Sequence, residues 1–132
     1  MDKKENNVIK TISDTLNNFE FLGLILCIIG SILNYFVFIV NGGKMPVLSD
    51  KKIKSSFHSK ADEKSRFLIF ADWIKIKLKS KSASMKFFSG VSGIPLGKDI
   101  IVSPGDLFIF ASRLITSFCF VIGIVVVIFT KK

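Results

Sequence analysis

Few residues in this sequence have the type and spacing that chemistry needs. His58 is the only histidine and lies in a lysine- and serine-rich linker, where a solvated surface role is expected. Asp72, Asp99 and Asp106 are the carboxylates that could meet at one interface, although nothing in their spacing demands it. The chain carries neither a P-loop nor a dinucleotide fingerprint. Its two cysteines, Cys27 and Cys119, have neither metal-ligand nor redox-pair spacing. No catalytic, metal-binding or cofactor-binding residue is assigned, no cofactor is expected, and the chain is expected not to be an enzyme.

Two other groups of residues are spaced for binding. Gly23, Cys27, Gly30 and Asn34 recur at four, three and four residues, and so do Ser112, Thr116, Cys119 and Gly123. Each set falls on one helix face, and small residues on such faces let helices approach closely in lipid. Arg113 sits beside the second set and has three possible destinations: it snorkels to the loop-side interface, bonds Asn34 across a helix pair, or faces a partner helix. The second group is Asn41, Gly42, Gly43 and Lys44 with Ser103 and Asp106. Lys44, exposed N–H groups and the helix N-terminus at Ser103 could hold an anion such as a lipid phosphate. Asp106 opposes that, since it occupies the same positive helix end, and a Lys44–Asp106 contact is the alternative.

These residues are positioned by two apolar blocks, Phe21 to Val40 and Leu107 to Phe129. The chain has 132 residues, 49% of them apolar, and a mean hydropathy of +0.50. Each block has the roughly 20 apolar residues that cross a hydrocarbon core about 30 Å thick. The expected fold is an all-α membrane protein, a two-helix antiparallel transmembrane hairpin with a long basic loop. Its parts are a polar segment at 1–20, spans at 21–40 and 107–130, and a loop at 41–106. Ile9, Ile12, Leu16 and Phe19 give the N-terminal segment one apolar stripe, so it is either a helix that runs into the first span or a frayed tail. The first span is too long for a signal-peptide core and reads as an uncleaved anchor.

The ends of the spans are marked. Asn41-Gly42-Gly43 suits a left-handed helix ending, and Pro46 blocks continuation. Ser103 is an N-cap, Pro104 suits the first helical position, and Asp106 is where a capping-box acid belongs. Within the loop, 48–66 reads as polar linker. Residues 66–79 form an amphipathic segment whose Ile74-Lys75-Ile76-Lys77-Leu78-Lys79 alternation suits a strand or an interfacial stretch. Residues 79–88 mix lysines and serines with Phe87 and Phe88, and 90–97 reads as loop.

Charge gives the orientation. The net charge is +9, and thirteen of nineteen basic residues lie between the spans. A basic excess beside spans marks the cytoplasmic side, so the chain is expected to be a multi-pass cell-membrane protein with loop 41–106 cytoplasmic and both termini outside.

The strings Ile32-Leu33-Asn34, Asn41-Gly42-Gly43-Lys44-Met45-Pro46-Val47 and Ser103-Pro104-Gly105-Asp106-Leu107 resemble a family of small bacterial integral membrane proteins, a domain of unknown function. That family has an Asn-Gly-Gly-Lys/Arg-Met-Pro-Val turn and a Ser-x-Gly-Asp helix start, and Phe67 to Ile74, with Asp72, is similar to its short middle segment. The resemblance spans about residues 22–125 and implies a membrane architecture without an assigned activity. Family members usually carry further hydrophobic helices upstream, where this chain has a polar twenty-residue lead, and 75–86 also departs from their pattern.

The functional expectation is a non-catalytic helix-packing or accessory component, embedded in the bilayer and associated with itself or another membrane protein through the small-residue stripe. The alternative is a surface module whose basic loop binds anionic lipid head groups, at roughly 1 kcal/mol per Lys or Arg, tuned by phosphorylation at Ser80, Ser82, Ser84 or Ser89. Nucleic acid is not an expected partner, because topology accounts for the charge.

Overall fold

A computed structural model describes residues 3–49, 55–78 and 82–130. Residues 50–54 of the polar linker, and 79–81 with the last lysine of the alternating run and Ser80, lie outside the described residues. The elements run α1 (Lys3–Val40), β1 (Met45–Val47), β2 (His58–Lys60), a single 3-10 turn (Leu68–Phe70), β3 (Ile74–Lys77), α2 (Ala83–Ser92), β4 (Asp99–Val102) and α3 (Pro104–Thr130).

The protein is mostly helical, with three helices rather than two, and two small sheets stand where an all-α fold was expected. The sequence carries physical causes for both. Alternation at 74–77 makes β3, with Ile74 and Ile76 turned inward and Lys75 and Lys77 exposed. Its antiparallel partner β4 sets Ile74 against Val102 and Lys77 against Asp99. The third helix, α2, starts at Ser82, whose hydroxyl accepts from the Met85 N–H, and ends at Gly93. Those two caps are the signal that a reading of 79–88 as mixed and 90–97 as loop passes over.

α1 is one uninterrupted helix, so the polar N-terminal segment is continuous with the first apolar block. Its end is a Schellman motif. The Gly43 N–H donates to Phe38 O at 2.9 Å and the Gly42 N–H to Ile39 O at 3.0 Å, with both glycines at positive φ. α3 starts on the expected capping box: the Asp106 N–H donates to Ser103 Oγ, and the Ser103 N–H donates to Asp106 Oδ2, each at 3.0 Å.

α1 and α3 pack along much of their length. Asn34 meets Ser103 and Asp106, Gly30 meets Gly105, Phe108 and Ile109, and Gly23 meets Ser112, Ile115 and Thr116. The core sits at one end of this pair, where Val37, Met45, Val47, Ala71, Ile94 and Val102 are buried. Both long helices are long and apolar enough to cross a membrane. Only 17% and 11% of their most apolar stretches is buried, and Phe21, Ile32, Phe118, Phe120 and Phe129 are among the side chains that face outward.

Candidate functional site

The buried end of the helix pair holds most of the fold's long-range polar contacts. β1 is buried throughout and is bonded on both sides. On one side it pairs in parallel with β2, Met45 against His58. On the other, the Asp72 N–H donates to Pro46 O at 3.0 Å and the Leu48 N–H to Asp72 O at 2.9 Å. This lacing brings His58 and Asp72, fourteen residues apart, to the same place: His58 Nε2 lies 3.2 Å from Asp72 Oδ2.

Both nitrogens of the imidazole have a polar neighbour. The Phe57 N–H donates to Ser55 Oγ at 3.2 Å, and Ser55 Oγ lies 2.8 Å from His58 Nδ1. The two ring nitrogens thus each face one polar neighbour, Nδ1 the Ser55 hydroxyl and Nε2 the Asp72 carboxyl. Serine, histidine and aspartate in a row is the order of a nucleophilic relay. Here, however, Ser55 Oγ is already engaged by the local turn and does not line the cavity beside Asp72, so the row anchors β2 to Asp72.

Asp72 is buried, and its carboxyl is pushed up to about 7, first by desolvation and then by the nearby charge of Asp106. Asp106 is held from α1: Asn34 Nδ2 donates to its Oδ1 at 2.7 Å, and Asn34 Oδ1 accepts from Ser103 Oγ at 2.7 Å. One amide thus joins the capping box of α3 to α1. Asn34, Tyr35, Phe38, Met45, Phe57, His58, Asp72 and Asp106 line an open cavity of about 360 Å³.

The raised carboxyl of Asp72 has a consequence for stability. Between pH 3.8, the ordinary value for an aspartate, and about 7, the folded chain holds a proton that the unfolded chain has released. Stability therefore falls as pH rises through that window. Asp72→Asn removes the ionisation, leaving only the loss of the His58 contact. We expect the variant to gain on the parent by about 2–3 kcal/mol between pH 5 and pH 8.5, the linkage of about two pH units of titration at about 1.4 kcal/mol each. Denaturant unfolding in mixed micelles at the two pH values measures this.

The residues singled out in sequence divide among several places. Gly23, Gly30, Asn34, Ser112 and Thr116 lie between α1 and α3. Cys119 is buried, Cys27 is half-buried, and both are free thiols. Gly123 has open space around it and does not take part in that contact. Arg113 does not bond Asn34; its Nη1 donates to Ser92 O at 3.4 Å, at the carbonyl end of α2, where a helix dipole favours a cation.

Asn41 does more than end a helix. Its side chain donates to Val37 O and Arg66 O, at 2.8 and 3.0 Å, and accepts from the Arg66 N–H at 2.8 Å. It thus ties the linker to the end of α1 as a backbone strand would. Next to that tether, the Ser65 hydroxyl holds the exposed Asp62 carboxyl below the usual carboxylate range. Among the described residues, Lys44 makes no ion pair with Asp106. The N-terminus of α3 is filled by Asp106 and faces Asp72, so it is acidic where an anion site was considered. The His58–Asp72 contact, the Asn41–Arg66 tether and the buried Ser92 were not foreseen; only Asp72, in the segment similar to the family's, carried a signal.

The fold and site define a helical protein with two span-length helices clasped at one end by a buried polar cluster. The chain belongs to the family of unknown function DUF5317, whose model matches residues 8–129. No curated protein and no solved structure matches it.

Proposed function

We propose that this chain is an integral membrane protein, an antiparallel transmembrane hairpin that acts without catalysis as a packing or accessory component beside another membrane protein or a second copy of itself. The observation that carries this reading is the outward exposure of both apolar helices. A core helix of a soluble protein hides its apolar faces, whereas here those faces are left for lipid or for another helix. The order of contacts, 34 to 23 on α1 against 103 to 116 on α3, supports the antiparallel arrangement. Gly23, Gly30, Asn34, Ser112 and Thr116 of the small-residue stripes are taken up within the hairpin, so association with a partner uses the outer faces instead.

The basic loop is cytoplasmic in this reading and both termini are outside. Lys75 and Lys77 stand on the exposed face of β3, which suits anionic head groups at the loop-side interface. The test uses Ser56, which is exposed. With Cys27 and Cys119 replaced by alanine and Ser56→Cys introduced, a membrane-impermeant maleimide is expected to label only permeabilised cells. Labelling of intact cells reverses the orientation, and release of the chain by alkaline carbonate removes the membrane reading itself.

A further inference from the structure

The cavity at the clasped end has an unusual electrostatic lining for a chain of net charge +9. Two carboxylates, Asp72 and Asp106, face it, and none of the described lining residues is Lys or Arg. His58 also lines it, with Nε2 3.2 Å from Asp72 Oδ2. The remaining walls are largely aromatic: Tyr35, Phe38 and Phe57, with Tyr35 and Phe57 both about two-thirds exposed at the mouth. Carboxylates backed by ring faces are the combination that recognises an organic cation, through ion pairing and cation–π attraction. A hydrated metal ion has little use for the rings, and an anion is repelled by both aspartates.

We propose that this cavity is a binding site for a small organic ammonium group, primary or quaternary, held over Tyr35, Phe38 and Phe57 against the carboxylates of Asp72 and Asp106. About 360 Å³ accommodates a group of that size with its first substituents. The bound cation takes the place of the proton on Asp72, so binding tightens as pH rises through about 7. The groups facing Asp72 are His58 from β2, Asp106 from α3 and the Asn34 amide from α1. The ammonium group comes either from a lipid head group or from a free amine. The first source rests on the membrane reading, which sets the cavity at head-group depth; the ammonium chemistry does not.

Trp73, the sole tryptophan, adjoins Asp72 and reports on the site. The full chain in phosphatidylglycerol nanodiscs is titrated with tetramethylammonium or ethanolamine, with sodium chloride at equal ionic strength as the reference, and Trp73 emission is followed. We expect a saturable change with either ammonium and none with sodium, with a tighter midpoint at pH 8 than at pH 6. Asp72→Asn should weaken the midpoint about tenfold. Phe57→Leu, at an exposed ring whose loss leaves the fold intact, should weaken it about threefold, as for one solvent-facing cation–π contact. In phosphatidylethanolamine discs, loss of the response identifies the lipid head group as the resident ligand, and an unchanged response identifies a free amine. No saturable change in phosphatidylglycerol discs, an equal response to sodium, or unaltered midpoints in both variants overturns the proposal. A chain that fails to enter the discs counts against the membrane reading alone, and the same titration in detergent micelles then decides the cavity.

Discussion

Gly30→Leu is expected to force the two long helices apart, at a cost of about 3 kcal/mol. Even a single methyl at Gly30 would collide with the carbonyl oxygen of Gly105, and it would stand 3.0 Å from Ile109 and 3.1 Å from Phe108. The first of these is backbone within a helix and cannot turn aside as a side chain could. The approach is tight from the other side too, since a methyl at Gly105 would run into Asn34 Oδ1 and would lie 2.7 Å from Gly30 O. Overpacking usually costs about 1–3 kcal/mol, and a rigid contact between two backbones belongs at the upper end. Cys119 provides the readout, because it is buried against α1 in the parent and a separated pair exposes it. In a Cys27→Ala background in detergent micelles, N-ethylmaleimide should modify Cys119 at least tenfold faster in Gly30→Leu. Gly123→Leu, into open space, should leave the rate unchanged. Equal rates in all three chains would show that the glycine contact does not hold the pair together.

Asn34→Leu should cost about 2–3 kcal/mol with little change in bulk. It removes the donor to Asp106 Oδ1 and the acceptor for the hydroxyl hydrogen of the buried Ser103, leaving that oxygen and that hydrogen unpaired. Hydrogen bonds to a charged group are worth about 1.5–3 kcal/mol. Interhelical bonds within lipid average less, about 0.6 kcal/mol, but this pair lies at the clasped end, where Asp106 is a helix-capping carboxylate. The capping box of α3 does not use Asn34 and survives, so helical content should stay constant while resistance to denaturant drops. A circular dichroism signal unchanged in native micelles, with an unfolding midpoint shifted down, is the expected pair of results. An unchanged midpoint would remove Asn34 as the clasp.

Asn34 also illustrates what sequence could and could not deliver. Its helix, its depth and its membership in a small-residue stripe follow from spacing, because a helix period reports which residues share a face. The same logic yields the Gly42–Gly43 ending and the Ser103–Asp106 start, since both are made of neighbours in the chain. The partner of Asn34 does not follow. Arg113 was the candidate for it, and that Asp106 holds it instead depends on helix register and rotation, which have no local signature. Arg113 went to Ser92, on a helix whose caps at Ser82 and Gly93 were present in the sequence but overshadowed by lysines and serines.

The acidic cavity was the least legible part. His58 and Asp72 meet only because β1 is bonded on both sides, and parallel pairing between strands of three residues leaves no pattern in hydropathy. Nor could charge counting find it. A chain with thirteen basic residues in its loop region gives no hint that the cavity at its clasped end is lined by two aspartates and, among the described residues, by no Lys or Arg.

The length of α1 carries a mechanical consequence. At 1.5 Å per residue, its 38 residues make a rod of about 57 Å, nearly twice the thickness of a hydrocarbon core. No proline interrupts it, and its first glycine is Gly23. The rod is fixed near its Gly42 end by the Asn41 tether and the Asn34 clasp, and Gly30 and Gly23 hold it against α3, so a tilt about the clasped end moves the two helices together. A tilt of about ten degrees there carries the opposite tip through about 10 Å, a displacement comparable to the width of a helix.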